Sequence, residues 1–144
     1  MGAYDIRKVF GKSVAPFQFD LGEVVAAVGL DAPAVSSEID TNGLSKLAVF
    51  VDYTRDAATA VNMTSEDAFA EIPGVNDWFD HQFVNDTTPP THDTGDAVWL
   101  RTSSISGRWV WVVDVVGNKT RLTFTGVGSS VSDVISVHAI GIAE

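Results

Sequence analysis

Residues 97–142, AVWLRTSSISGRWVWVVDVVGNKTRLTFTGVGSSVSDVISVHAIGI, decide the fold. Four segments rich in Val, Ile, Thr and Trp are separated by Ser106-Gly107, by Gly117-Asn118 and by the stretch from Gly126 to Ser130. Branched and aromatic residues fit a pleated, half-buried surface, and the residues between the segments tolerate turn dihedrals. The simplest pairing is an antiparallel meander. A sheet of that kind must cover one face, so a second layer is required from the rest of the chain.

Residues 45–66 offer that layer as a further hairpin, SKLAVFVDYT and AATAVNMTSE across Arg55-Asp56. Alternation puts Leu47, Val49, Val51 and Tyr53 on one face of the first strand and Ala48, Phe50, Asp52 and Thr54 on the other. In the second strand Val61 and Met63 oppose Asn62 and Thr64. The fold expected is all-β, an antiparallel β-sandwich of jelly-roll type.

Residues 1–35 have a different texture, with Gly11, Pro16, Gly22, Gly29 and Pro33 interrupting each apolar run. They read as an extended N-terminal arm with edge strands, preceding a single sandwich domain over 36–144. Within them Asp20 to Glu23 has the spacing of a helix capping box, and Val24 to Val28 suits a helical turn or a buried strand, with strand preferred. Between the two hairpins, residues 85–96 (NDTTPPTHDTGD) have the composition of a long exposed loop.

The chain has 144 residues, enough for one domain that buries a core without staples, and it has no cysteine, so disulfides and thiolate chemistry are excluded. Its formal net charge is -10, with nine basic residues dispersed singly. Nucleic-acid binding draws its energy from clustered Lys and Arg, so no nucleic-acid partner is expected. No apolar run reaches the ~20 residues of a spanning helix, and the N-terminus lacks the pattern of a secretory signal, so neither membrane insertion nor export is expected. The triplets at Asn62, Asn85 and Asn118 are then not glycan acceptors, and Asp5 and Ile6 stand where a myristoylation signal needs a small hydroxyl residue.

Side chains with chemistry are few. Asp86, Asp93 and Asp96 with His92 and Asn85 would offer ligands to a hard cation, but their spacing matches no EF-hand or zinc pattern and suits a solvated loop. His81, His92 and His138 lie in unrelated contexts. His138 shares a face with Val134, Ile140 and Ile142 and reads as a hydrogen-bonded histidine in or near the core. No nucleophile motif is present, so no enzyme, metal or cofactor is expected. Trp109 and Trp111 share a face with Val113 and Val115. Such a row is a core filler or, alternatively, the aromatic platform of a carbohydrate-binding module. Trp78 and Phe79, beside the polar loop, are candidates to anchor a partner or to seal one end of the sandwich.

The segment LAVFVDYTRDAATAVNM and the later GRWVWVVDVVGNKTRLTFTGVGSSVSDVISVHAIGIAE together resemble small β-sandwich virion proteins of tailed bacteriophages. The chain departs from that pattern in the Pro-rich acidic loop between them. The resemblance implies a non-enzymatic structural protein made in the host cytoplasm and located on the virion. Its expected role is capsid decoration (cement) or another head-associated position, alternatively a tail or head-tail connector component. Capsid or other virion proteins are the implied partners, with self-association about three-fold or other lattice axes. The interface expected comprises Tyr4, Ile6, Val9, Phe10, Phe17 and Phe19 of the arm, which can add a strand to a neighbour's sheet, with Trp78, Phe79 and Phe83.

Overall fold

The computed structural model describes residues 17–81, 84–85, 91–92, 98–102 and 105–143. Among the described residues there are twelve strands: β1 (Phe17–Gly29), β2 (Ala34–Val35), β3 (Ile39–Asp40), β4 (Lys46–Thr54), β5 (Ala60–Ala68), β6 (Phe79–Asp80), β7 (Val84–Asn85), β8 (Thr91–His92), β9 (Val98–Thr102), β10 (Gly107–Asp114), β11 (Lys119–Val127) and β12 (Val134–Ala143). One sheet, here the first, has the order β1-β12-β4-β10. The second has β11 and β5 at its centre, flanked by β2 and β3 on one side and by β6 and β9 on the other. All pairings are antiparallel. β7 and β8 pair with each other.

The result is a β-sandwich, as the strand composition requires. Its pairing, however, corrects the meander and the hairpin. β9 pairs with β5, β10 with β4, β11 with β5, and β12 with β4 and β1. β4 and β5 lie in opposite sheets. Most consecutive long strands therefore alternate between layers, which gives the strand order of a double-sheet jelly roll. Two sheets packed ~10 Å apart are bridged by a connection of about four extended residues, so a short turn-rich link serves a crossover as readily as a hairpin.

The alternation read from β4 and β5 holds. Leu47, Val49, Val51 and Tyr53 point inward and are buried, as are Val61 and Met63 across from them. Val113, Leu122, Phe124, Ile135, Val137 and Ala139 complete the centre of the core. β12 has the opposite phase to the one expected: Ile135, Val137 and Ala139 are buried, and His138 stands on the outer face with 45% of its side chain exposed.

Residues 24–28 are strand, not helix. Asp20 accepts a hydrogen bond from the Gly22 N–H (2.8 Å) in place of capping a helix, and Gly22 has a φ of 82° where the register shifts. Such a bulge re-aims the following side chains. A further shift between Glu23 and Val25 accompanies the burial of two adjacent valines, Val24 and Val25, which a regular strand would send to opposite faces. β1 is an edge strand, and Val24, Val25, Leu30 and Ala34 belong to the core. Residues 1–16 lie outside the described residues.

One buried carboxylate gathers the connections at one end. Asp133 accepts hydrogen bonds from the backbone N–H groups of Asp56 (2.7 Å), Ala57 (3.1 Å), Ala58 (3.1 Å) and Ser130 (2.8 Å), and from the Tyr53 hydroxyl (2.7 Å). Its own carbonyl accepts the Leu30 N–H at 2.7 Å. The crossovers β1–β2, β4–β5 and β11–β12 thus meet at one residue. Burial disfavours the charge, but the backbone donors of Asp56, Ser130 and Ala58 and the Tyr53 hydroxyl override it and hold the carboxyl well below its usual range. The Tyr53 phenol is correspondingly pushed above its usual value, first by burial and then by its bond to Asp133.

Replacing Asp133 by Asn leaves backbone donors facing an amide NH2 and is expected to destabilise the fold by about 3 kcal/mol or more, whereas Tyr53→Phe removes one donor and costs about 1–2 kcal/mol. Because the native carboxyl titrates below the unfolded one, its contribution is complete above the unfolded value of about 3.9 and is lost progressively as pH falls from there through the native value. Urea titrations between about pH 6 and pH 2 are expected to show a steeper acid loss for the native chain than for Asp133→Asn. Equal slopes would remove Asp133 as the anchor.

Candidate protein interface

A sheet buried on one side only is expected to turn polar residues outward. The first sheet does not. Its outer face is built in cross-strand rows that the register fixes: Arg108, Asp52 and Ser136; then Val110, Phe50, His138 and Glu23; then Val112, Ala48, Ile140 and Asp20; then Asp114, Lys46, Ile142 and Gln18. The two middle rows are mostly apolar across β10, β4 and β12. Phe50 is 47% exposed, Val110 47% and Val112 51%. Scattered apolar residues on a surface are ordinary, but a contiguous set rimmed by charge marks an interaction surface.

The face is also shaped. A shallow depression of about 470 Å³ lies beside Phe50, lined also by Val110, Ser136, His138, Arg108 and Asp52. Small Ser136 leaves the space. Arg108 Nε donates to Asp52 at 3.2 Å on the exposed rim. On the β1 side the His138 ring nitrogen Nε2 is hydrogen-bonded to Asp20. The Asp20 carboxyl lies below its ordinary value, chiefly through the Gly22 N–H and secondly through His138.

The second sheet's outer surface contrasts. Arg121 reaches both carboxylate oxygens of Glu66 at 3.0 Å, and Asn62, Thr64, Thr123 and Thr125 stand in the neighbouring rows. Val35, Val98 and Leu100 toward the flanks and Val127 at the end of β11 are its exposed apolar residues. In the interior of the sandwich Asp67 accepts from Thr120 Oγ1 at 2.8 Å and pairs with His81 Nδ1 at 3.1 Å, so both are engaged in structure.

The arm and loop residues named from the sequence separate. Phe17 and Phe19 are about half exposed, with ring centroids 6.4 Å apart at the end of the edge strand β1. Phe79 is exposed and rests on exposed Phe69 at 5.8 Å. Ile72 and Val75 in the same connection are almost fully exposed. Trp78 is half-buried beneath the Arg121 guanidinium at 4.3 Å, which engages its ring face. Tyr4, Ile6, Val9, Phe10 and Phe83 lie outside the described residues.

The tryptophan row faces inward. Trp109 packs edge-on against Trp111 (5.3 Å) and Tyr53 (6.0 Å), with the Arg101 guanidinium over its ring at 4.5 Å. These rings are committed to the flank of the core and form no outward platform. Among the described residues no three His, Asp or Glu side chains gather around a metal position. Asp86, Asp93 and Asp96 lie outside those residues, and of Asn85 and His92 only the backbone is described. No helix among the described residues is long and apolar enough to cross a membrane.

The outer apolar face was missed in reading the sequence, although a signal for it was present. AVFV in β4, WVWVV in β10 and the apolar residues at both phases of VISVHAIGI in β12 are nearly continuous apolar runs, the pattern of strands covered on both faces.

Neither a protein-family model nor a curated protein sequence matches the chain. Among solved structures, the crystal structure of SPBc2 prophage-derived protein YomS is similar to it, with 11% identity and a TM-score of 0.47, covering 92% of this chain and 100% of that one. A likeness of that size carries no argument about function.

The two faces of β4 differ in a measurable way. Leu47→Ala, at a fully buried site, is expected to cost about 2–5 kcal/mol, whereas Phe50→Ala should change stability by less than about 1.5 kcal/mol, both read from urea unfolding. A Phe50→Ala cost matching that of Leu47→Ala would mean that Phe50 is core and the outer face is not free.

Proposed function

We propose that this chain is a non-enzymatic structural protein of a bacteriophage virion, acting through protein-protein interfaces, with capsid decoration or another head-associated position as its role. The observation that carries the reading is the apolar outer face of the first sheet, three adjacent strands wide and framed by charge. Further support comes from the resemblance of the two quoted segments to phage β-sandwich virion proteins. The exposed set around Phe69, Ile72, Val75 and Phe79 supplies a second apolar surface, and edge strand β1 a third contact element. A protein that works by covering others needs area and shape, and these features provide both.

Particles assembled without the protein and then incubated with it are expected to retain it saturably, to show added density at regular lattice positions by electron microscopy, and to resist heat better. Folded protein that fails to associate with such particles would remove the decoration role. Major capsid, portal or terminase genes beside its reading frame are the expected genomic setting.

A further inference from the structure

The rows on the outer face of the first sheet are complementary to themselves. Along β10 the charged ends are Arg108 and Asp114, and along β4 they are Asp52 and Lys46. Each strand therefore carries opposite charges at its two ends, and the two strands carry them in opposite senses. Between the ends, Phe50 alternates with Ala48, and on β12 Ser136 stands at one end of the row series and Ile142 at the other.

We propose that this face pairs with the same face of a second copy across a two-fold axis that lies in the interface plane, perpendicular to the strands. That operator reverses the rows and keeps the columns. Arg108 then meets Asp114 of the second copy, and Asp52 meets its Lys46. Val110 meets Val112, large Phe50 meets small Ala48, and Ile142 enters the space beside Ser136 where the depression lies. The twist of the sheets turns facing strands by about 30°, so the match is tightest at the centre.

The other in-plane axis fails on the same residues. A two-fold parallel to the strands would set β10 on β1, placing Val110 on Glu23 and Val112 on Asp20, apolar groups against carboxylates. A three-fold arrangement is heterologous and does not bring a patch onto itself. Under the proposed operator His138 faces Ile140 of the second copy, and the one like-charge approach is Glu23 to Asp20 of the second copy. It falls at the β1 rim, where Asp20 already holds His138.

The size is adequate. Four strands about 4.8 Å apart and four rows about 6.7 Å apart give a footprint of roughly 500 Å² per copy, about 1,000 Å² for the pair, the lower bound for a specific association. This inference deepens the reading of an assembly protein but rests on self-association alone, not on the virion role.

Sedimentation equilibrium of the full chain over a dilution series is expected to show a monomer-dimer equilibrium. Arg108→Glu should weaken it about tenfold or more, and Asp114→Arg likewise, while the double variant R108E/D114R should return to within about threefold of the native chain. Arg108 and Asp114 lie six residues apart along one strand, about 20 Å, so rescue cannot arise within one copy. Both sites are exposed, and circular dichroism confirms that the variants fold. A strict monomer up to about 1 mM, a dimer indifferent to the single changes, or a double variant no better than the singles would overturn the proposal. A dimer that ignores capsid particles would remove the proposed virion role and leave the interface standing; a particle-binding monomer would do the reverse.

Discussion

Asp133 is the constraint on which the jelly roll depends. A double-sheet fold whose chain repeatedly crosses between layers must turn its backbone where no ladder partner exists, and every N–H it buries there needs an acceptor. A single carboxylate with two oxygens accepts from three successive N–H groups of the β4–β5 crossover, from Ser130 in the β11–β12 crossover and from Tyr53 in the core. The charge is what makes this economical. A neutral side chain offers fewer acceptor sites and weaker bonds, and five donors converging on it would leave some unpaired.

The opposite end of the sandwich is closed differently, by backbone contacts. Asn118 N–H donates to the Ala68 carbonyl at 2.8 Å, Thr41 Oγ1 donates to the Gly117 carbonyl at 2.7 Å, and Ser45 N–H donates to the Ile142 carbonyl at 2.8 Å. Gly117 is required there for space, since a Cβ on it would lie 2.6 Å from the Ala68 oxygen. The two ends therefore differ in their response to acid. Protonation weakens the Asp133 end, where the shared acceptor is a titrating carboxylate, whereas the carbonyl acceptors at the other end do not titrate.

These arrangements were unequally legible in the sequence. The inward faces of β4 and β5 follow from strict alternation, because Leu47, Val49, Val51 and Tyr53 alternate with Phe50, Asp52 and Thr54, and one phase is clearly the more apolar. Strand pairing did not follow, because Gly117-Asn118 and the Gly126 to Ser130 stretch have turn chemistry that serves a hairpin and a crossover equally. In β12 both phases are apolar, so the phase of His138 was read backwards; what decides it is that Ile135, Val137 and Ala139 belong to the buried core. Asp133 gave no signal either. An aspartate in a Ser-Ser-Val-Ser-Asp stretch looks like any solvated turn residue, and only the convergence of Asp56 to Ala58, distant in sequence, distinguishes it.

The two outer faces of the sandwich are unlike. Both sheets bury one side against each other, so the folded core accounts equally for both inner faces and cannot explain why the outer ones differ. The second sheet's outer face has threonines and the Arg121–Glu66 pair at its centre, with exposed Val35, Val98, Leu100 and Val127 toward its margins. The first sheet instead spends Phe50, Val110, Val112, Ile140 and Ile142 on positions where the fold gains little from them. Stability of the isolated chain would be served as well by threonine there, at less risk of nonspecific association. An apolar face with opposite charges at the two ends of its strands is therefore left unexplained by the sandwich core, and its composition is that of a surface suited to being covered.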